Sequence, residues 1–330
     1  MFKSIFAAEM ISFLELRKIA VTPQQCVADT STLLLLDNYL ADHCYYEKCL
    51  SEEILVQWIQ TLRGKSKTVN AKIVNVRNFV KHLNAMGNQS FLPDAVKVKS
   101  DYIPYIYSDE ELASIFHHAD NLEVKSTKRC SPYLLIKIPM ILRILYGCGT
   151  RLGETMALQR EDIDFKTRTI LLRKTKSAKE RLIPIHETLI GIHEKYCLTV
   201  GIMLSPDAYL FPGQSPGRPF TKWQVSTWFV EILRRANIDQ REKGRYDRGA
   251  CLHCFRHVFV LKSMRQLEAA GHPVDLNDLL LPTYLGHECL LDTDKYMRFS
   301  GAQIPESLHA FETFTAGLIP KVEAPYRRIK

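Results

Sequence analysis

Apolar residues recur at helical spacing through much of the chain, and the first clear stripe is Ile54, Leu55, Trp58, Ile59 and Leu62. It predicts an amphipathic helix over residues 53–62. A second stripe, Ile73, Val76, Phe79, Val80 and Leu83, predicts a helix over residues 69–86 with Gly87 as its stop. Residues 1 to about 100 read as helical throughout. Residues 93–107, which include Pro93 and Pro104, show no period and read as a linker. We therefore expect two domains, 1–106 and 107–330. Ser108 followed by Asp109, Glu110 and Glu111 marks a helix start. The most apolar window, Leu134 to Tyr146, contains Lys137 and Arg143 and is too short to span a bilayer, so it reads as a buried core helix. Thr169–Leu172 and Arg181–Ile185 carry strand signals around Lys174-Thr175-Lys176-Ser177-Ala178-Lys179, a hairpin with a basic tip. Thr221 can cap a helix running to Ala236. The expected fold class is mainly α with a small β-sheet: a helical first domain ahead of an α+β second domain.

Composition narrows the class. With 330 residues, 46% hydrophobic and 24% charged, the chain suits a water-soluble protein of two ordinary domains. The formal net charge of +8 leans toward a polyanionic partner. Its placement says more: Arg63, Lys65, Lys67, Lys72, Arg77, Lys81, Lys97 and Lys99 face the single acid Asp94 between residues 63 and 99. A phosphate-tracking surface needs such a stretch, although a solvated helix face can look the same. The nine cysteines are odd in number and scattered, which points to a reduced, cytoplasmic setting. Glu9 and Glu15 interrupt the N-terminal apolar run, so no secretory signal and no membrane span are expected.

Candidate chemistry sits in three boxes. They are Gly149-Thr150-Arg151-Leu152-Gly153-Glu154, His253-Cys254-Phe255-Arg256-His257, and Leu285-Gly286-His287 with Tyr296 nine residues after that histidine. A phosphodiester repels nucleophiles through its non-bridging oxygens and has a poor alkoxide leaving group. Metal-free attack on it needs fixed cations and a proton donor, and arginine's planar fork suits the first task. A phenol has a pKa near 10 in water, so it also needs cationic surroundings to attack.

In this order, Arg, His-x-x-Arg, His and Tyr, the boxes resemble the tyrosine recombinase (phage integrase) family over about residues 108 to 300. Over residues 1 to 100 the resemblance is one of arrangement alone. It implies an N-terminal helical core-binding (SAM-like) domain and a tyrosine-recombinase catalytic domain, closing as a clamp on double-stranded DNA. It implies that Arg151 and Arg256 hold the scissile phosphate, that His253 and His287 assist proton movement and bond the phosphate, and that Tyr296 is the nucleophile. Lys176, in a Lys-Glu-Arg-containing hairpin run like the family's, is then the general acid, with Lys174 and Lys179 as competitors. Glu154 matches an acidic position of the first box, or is simply a helix-end carboxylate. Lys65, Lys67, Lys72, Arg77 and Lys81 are the expected DNA-binding residues. The implied reaction is site-specific recombination through a 3′-phosphotyrosine and a Holliday junction, by a homotetramer on paired inverted half-sites, for integration or excision of a mobile element. DNA relaxation of the type IB topoisomerase kind, or DNA binding without catalysis, are the rival outcomes.

No cofactor or metal is expected. Cys251, Cys254, His253 and His257 invite a zinc reading, but a structural site wants four ligands, usually in two pairs, and no second cysteine pair follows. Tyr284 and Tyr246 lack the nucleophile's spacing and read as core or surface aromatics. The stretch from His272 to Tyr284 is a few residues longer than the family's usual segment there. Ile304, Leu308 and Phe311 form an apolar stripe that predicts a tail helix at about 303–315, docked on its own domain or on a neighbouring protomer.

Overall fold

A computed structural model of the chain describes residues 2–95, 104–123, 133–173, 180–215, 217–239, 249–271 and 281–286. The chain divides into two compact units, Met1–Asp101 and Tyr102–Lys330.

The first unit is built from four helices, α1 (Ala7–Ala20), α2 (Pro23–Asp42), α3 (Glu52–Thr61) and α4 (Ser66–Ala85). Thr22 caps α2 by accepting from the Gln25 amide, and Pro23 occupies the first turn, where its missing N–H is no loss. Ser51 caps α3 in the same way. The expected stripes face inward: Leu55, Trp58, Val76, Phe79, Val80 and Leu83 join Phe6, Met10, Leu33, Leu36 and Leu40 in one core. Helix α4 begins one turn earlier than its stripe, because Ser66, Lys67 and Thr68 are exposed and leave no apolar trace. Asp37, fully buried, accepts from the backbone N–H groups of Lys3 and Ser4 at 2.8 Å each, which pins the N-terminal segment to α2.

The second unit centres on α6 (Leu134–Cys148), which packs against α5 (Asp109–Asp120), α7 (Leu152–Ala157), α8 (Glu187–Val200) and α10 (Cys254–Ala269). Ser108 and Glu111 form a capping box on α5, and Thr221 and Gln224 form one on α9 (Lys222–Arg235). Tyr107, inside the period-free stretch 93–107, is buried and donates its hydroxyl to the Cys251 carbonyl at 2.9 Å.

The sheet is antiparallel in the order β1 (Ile163–Asp164), β2 (Thr169–Leu172), β3 (Arg181–Pro184), with Ile170 opposite Ile183 and Leu172 opposite Arg181. Ile170, Leu172 and Ile183 face the core, as period-two alternation requires. The two-residue β1 was not expected, being too short to carry a period. The sheet's basic tip, 174–179, lies outside the described residues. No helix among the described residues is long and apolar enough to cross a membrane.

Candidate active site

The first box turns the chain from α6 into α7. Gly149 ends α6 with a left-handed φ of +57°, a conformation that costs a residue with a Cβ. The turn is locked by Thr150 and Thr155, whose hydroxyls are 2.7 Å apart in the core. Arg151 then stands at the N-cap of α7, and Glu154 lies one turn on. Glu154 accepts from the Arg151 backbone N–H at 2.9 Å and from Arg151 Nη1 at 2.8 Å. The Glu154 side chain is only 6% exposed, against 30% for Arg151. The carboxylate is therefore buried and the guanidinium beside it is open to one side.

The second box enters α10. His253 is exposed just ahead of the helix, while Cys254, Phe255, Arg256, His257 and Val258 are all buried. Cys254 fills an apolar slot, as expected, with its sulfur 3.5 Å from that of Cys251. The imidazoles of His253 and His257 meet edge to face, with centroids 5.0 Å apart. Burial, then the proximity of His253 and Arg256, pushes the His257 imidazole down to about 3, so it is neutral at physiological pH.

Arg256 is 1% exposed and ties the boxes together. Its Nη1 donates to the Gly149 carbonyl at 2.7 Å, and its Nη2 donates to the Leu285 carbonyl at 2.8 Å. Residues 281–285 are helical, and their aromatic Tyr284 stacks on Phe259 and donates to the Cys148 carbonyl at 3.2 Å. The Gly-Thr-Arg, His-x-x-Arg and Leu-Gly segments thus converge on one guanidinium. Beside them runs a cleft of about 270 Å³, lined by Thr150, Leu152, Phe229, Val230, Leu252 and His253 among others.

A further arginine reaches this cluster without having been read as part of it. Arg181, on β3, donates Nη2 to Glu154 Oε2 at 2.9 Å and Nη1 to Oε1 at 3.2 Å. It also lies over Gly286, where a Cβ would meet Nη1 at 2.9 Å. Nothing local announced this partnership, since Arg181 and Glu154 are 27 residues apart and lie on different elements. Lys222, at the start of α9, places Nζ 3.0 Å from where a Cβ on Gly153 would sit.

Lys176, His287, Tyr296, Tyr246, the tail at 303–315 and most of the His272–Tyr284 stretch lie outside the described residues. In the first unit, Lys65, Lys67 and Lys81 are exposed, while Lys72 and Arg77 are half-buried. Lys72 precedes Val76, Phe79 and Leu83 on the apolar face of α4, and Arg77 donates to the Pro93 carbonyl. Among the described residues no cluster of His, Cys, Asp or Glu could hold a metal ion.

Residues 107–300 match the model of the phage integrase family. The chain belongs to that family. It is 28% identical over 215 residues to a putative integrase/recombinase, y4rB, of Sinorhizobium fredii, covering 63% of this chain and 66% of that one. It is 33% identical over 219 residues to the tyrosine recombinase XerA of Pyrococcus horikoshii, covering 65% of each. The matched part thus spans just under two thirds of the length of these relatives. Among solved structures, the XerH site-specific recombinase bound to a palindromic difH substrate, in a post-cleavage complex, superposes with a TM-score of 0.67. That match has 18% identity and covers 88% of this chain and 80% of the other, so the likeness is one of fold. The mainly helical architecture with a small sheet is therefore the fold of this family's members.

Proposed function

We propose that this chain is a site-specific DNA recombinase that cuts and rejoins strands through a phosphotyrosine on Tyr296. The observation that carries the reading is the pair of hydrogen bonds that Arg256 donates to the Gly149 and Leu285 carbonyls, which gathers three sequence boxes at one point. Arg151 and Arg256 neutralise the non-bridging oxygens, whose charge grows as the phosphorus becomes five-coordinate. His253 and His287 bond the phosphate and help move the tyrosine's proton. The Tyr296 oxygen attacks phosphorus, the bond to the 5′ oxygen breaks, and Lys176 supplies the proton that turns that oxygen into a hydroxyl. The 3′-phosphotyrosine keeps the energy of the broken bond, so a 5′-hydroxyl from a partner strand can reverse the step and join to it. Neither metal nor cofactor has a part in these steps.

Four protomers on two paired inverted half-sites exchange strands in pairs through a Holliday junction, in the service of a mobile element's integration or excision. The first unit holds the duplex through phosphate contacts from its exposed Lys65, Lys67 and Lys81, while Lys72 and Arg77 are half-buried and serve the unit's own packing. The test uses a duplex that the chain selects from a random-sequence pool, nicked so that cleavage is trapped. Wild type should give a denaturant-resistant protein–DNA complex, and Tyr296→Phe should bind the same duplex without forming it. A covalent complex persisting in Tyr296→Phe removes that residue from the role; none from wild type on any selected duplex overturns the reading.

A further inference from the structure

Glu154 is held by two cations of unequal grip. Arg181 spans both carboxylate oxygens as a fork, whereas Arg151 gives its side chain to Oε1 alone, through Nη1. Arg181 is also the more enclosed, with its side chain 12% exposed against 30% for Arg151. Burial by itself raises the Glu154 carboxyl. The Arg181 hydrogen bonds, followed by the Arg151 backbone N–H, the Arg181 charge and the Arg151 side-chain hydrogen bond, outweigh this and hold it below the usual carboxylate value. The same Arg181 guanidinium is seated on Gly286, whose φ of +64° and lack of a Cβ allow the approach. Gly286 directly precedes His287 in the chain.

We propose that Arg181 is a positioning residue for strand cleavage: it occupies Glu154 so that Arg151 keeps donors and net positive charge for a phosphate, and it seats the Gly286 backbone that leads to His287. The inference rests on the reading of Arg151 as a phosphate ligand. Its logic is one of competition. One carboxylate between two guanidinium groups leaves a net charge of +1 on the trio. Remove Arg181, and the buried carboxylate has Arg151 as its remaining guanidinium partner. Arg151 is then drawn into a neutral two-nitrogen pair, because a buried carboxylate without a partner is strongly disfavoured. Phosphate stabilisation in the transition state falls, while duplex binding, which draws on many contacts elsewhere, does not.

The experiment compares wild type, Arg181→Gln, Glu154→Gln and the double variant on the nicked, selected duplex, with affinity from gel shifts and the rate from covalent-complex formation. Arg181→Gln should slow covalent trapping by about tenfold or more at nearly unchanged affinity. The double variant should be faster than Arg181→Gln alone, since removing the carboxylate frees Arg151. A purely structural Arg181 predicts a double variant no faster than the single, and that result overturns the proposal. Arg181→Lys covers the case in which Arg181→Gln does not fold. It keeps the charge but cannot fork, so an intermediate rate supports the proposal and a wild-type rate refutes it. If wild type forms no covalent complex, the failure belongs to the recombinase reading and is recognisable as such.

Discussion

Phe259 lies so close to Gly149 that a Cβ on the glycine would sit 2.4 Å from the ring's Cδ1. The end of α6 and the face of α10 are thereby packed with no room for a methyl group, and Arg256 can reach the Gly149 carbonyl at 2.7 Å. The first and second boxes are held together by backbone shape as much as by charge.

Gly149→Ala should consequently be severe. It combines a left-handed φ with a collision against a ring, for a loss of about 2–4 kcal/mol. Gly217→Ala is the control: its φ of +70° is also left-handed, but no atom of the described residues lies within 4 Å of its Cβ position. The control should lose only about 1–2 kcal/mol. Urea unfolding of both variants checks this, and equal losses would mean that the close approach does not matter.

The two arginines of the boxes should part company when each is changed to lysine. Arg256 is buried and bridges two carbonyls, so Arg256→Lys should lower the unfolding midpoint as well as the cleavage rate. Arg151 is partly open and bonds a neighbour one turn away, so Arg151→Lys should fall mainly in rate, with little change in stability. Thermal unfolding alongside covalent trapping separates the effects.

Acid should weaken the second unit well above the carboxylate range. Burial pushes both His193 and His257 down to about 3, from an ordinary value of 6.5. An unfolded histidine takes up its proton as pH falls through about 6.5, whereas these folded ones wait until about 3. Stability is therefore lost progressively as pH falls across that window, at about 2 kcal/mol per histidine by about pH 5. Neither His193 nitrogen has a hydrogen-bond partner among the described residues. His193→Leu should flatten the fall by one proton's worth without lowering stability near neutral pH. An unchanged slope in denaturant titrations would contradict the burial argument.

Salt should report which basic residues of α4 meet DNA. Lys67 and Lys81 are exposed, whereas Arg77 is committed to the Pro93 carbonyl. Changing Lys67 and Lys81 together to Gln should reduce the slope of log affinity against log salt by about 2. Arg77→Gln should instead lower the first unit's stability. If the double variant keeps the full slope, that face of α4 is merely solvated.

Much of the helical layout was legible because its causes are local. Ser108 with Glu111 and Thr221 with Gln224 announce helix starts through residues three apart, and the stripes of α3 and α4 repeat within one helix. The strands β2 and β3 alternate within four residues each, enough for a period of two to show. The chain order of Arg151, His253, Arg256, His287 and Tyr296 could likewise be read along the sequence, and its resemblance to the phage integrase family pointed to the family that residues 107–300 match. What tertiary structure decided were partners. The sequence holds forty-four lysines and arginines, and nothing in it says that Arg181 forks onto Glu154 or that Arg256 reaches Gly149 across 107 residues. Nor does it say that Lys72 shares the apolar face of α4 while Lys81 stands in solvent. A side chain's type sets which bonds it can make. Which hydrogen bonds it does make depends on what folding brings within about 3 Å, because a hydrogen bond weakens steeply beyond that reach.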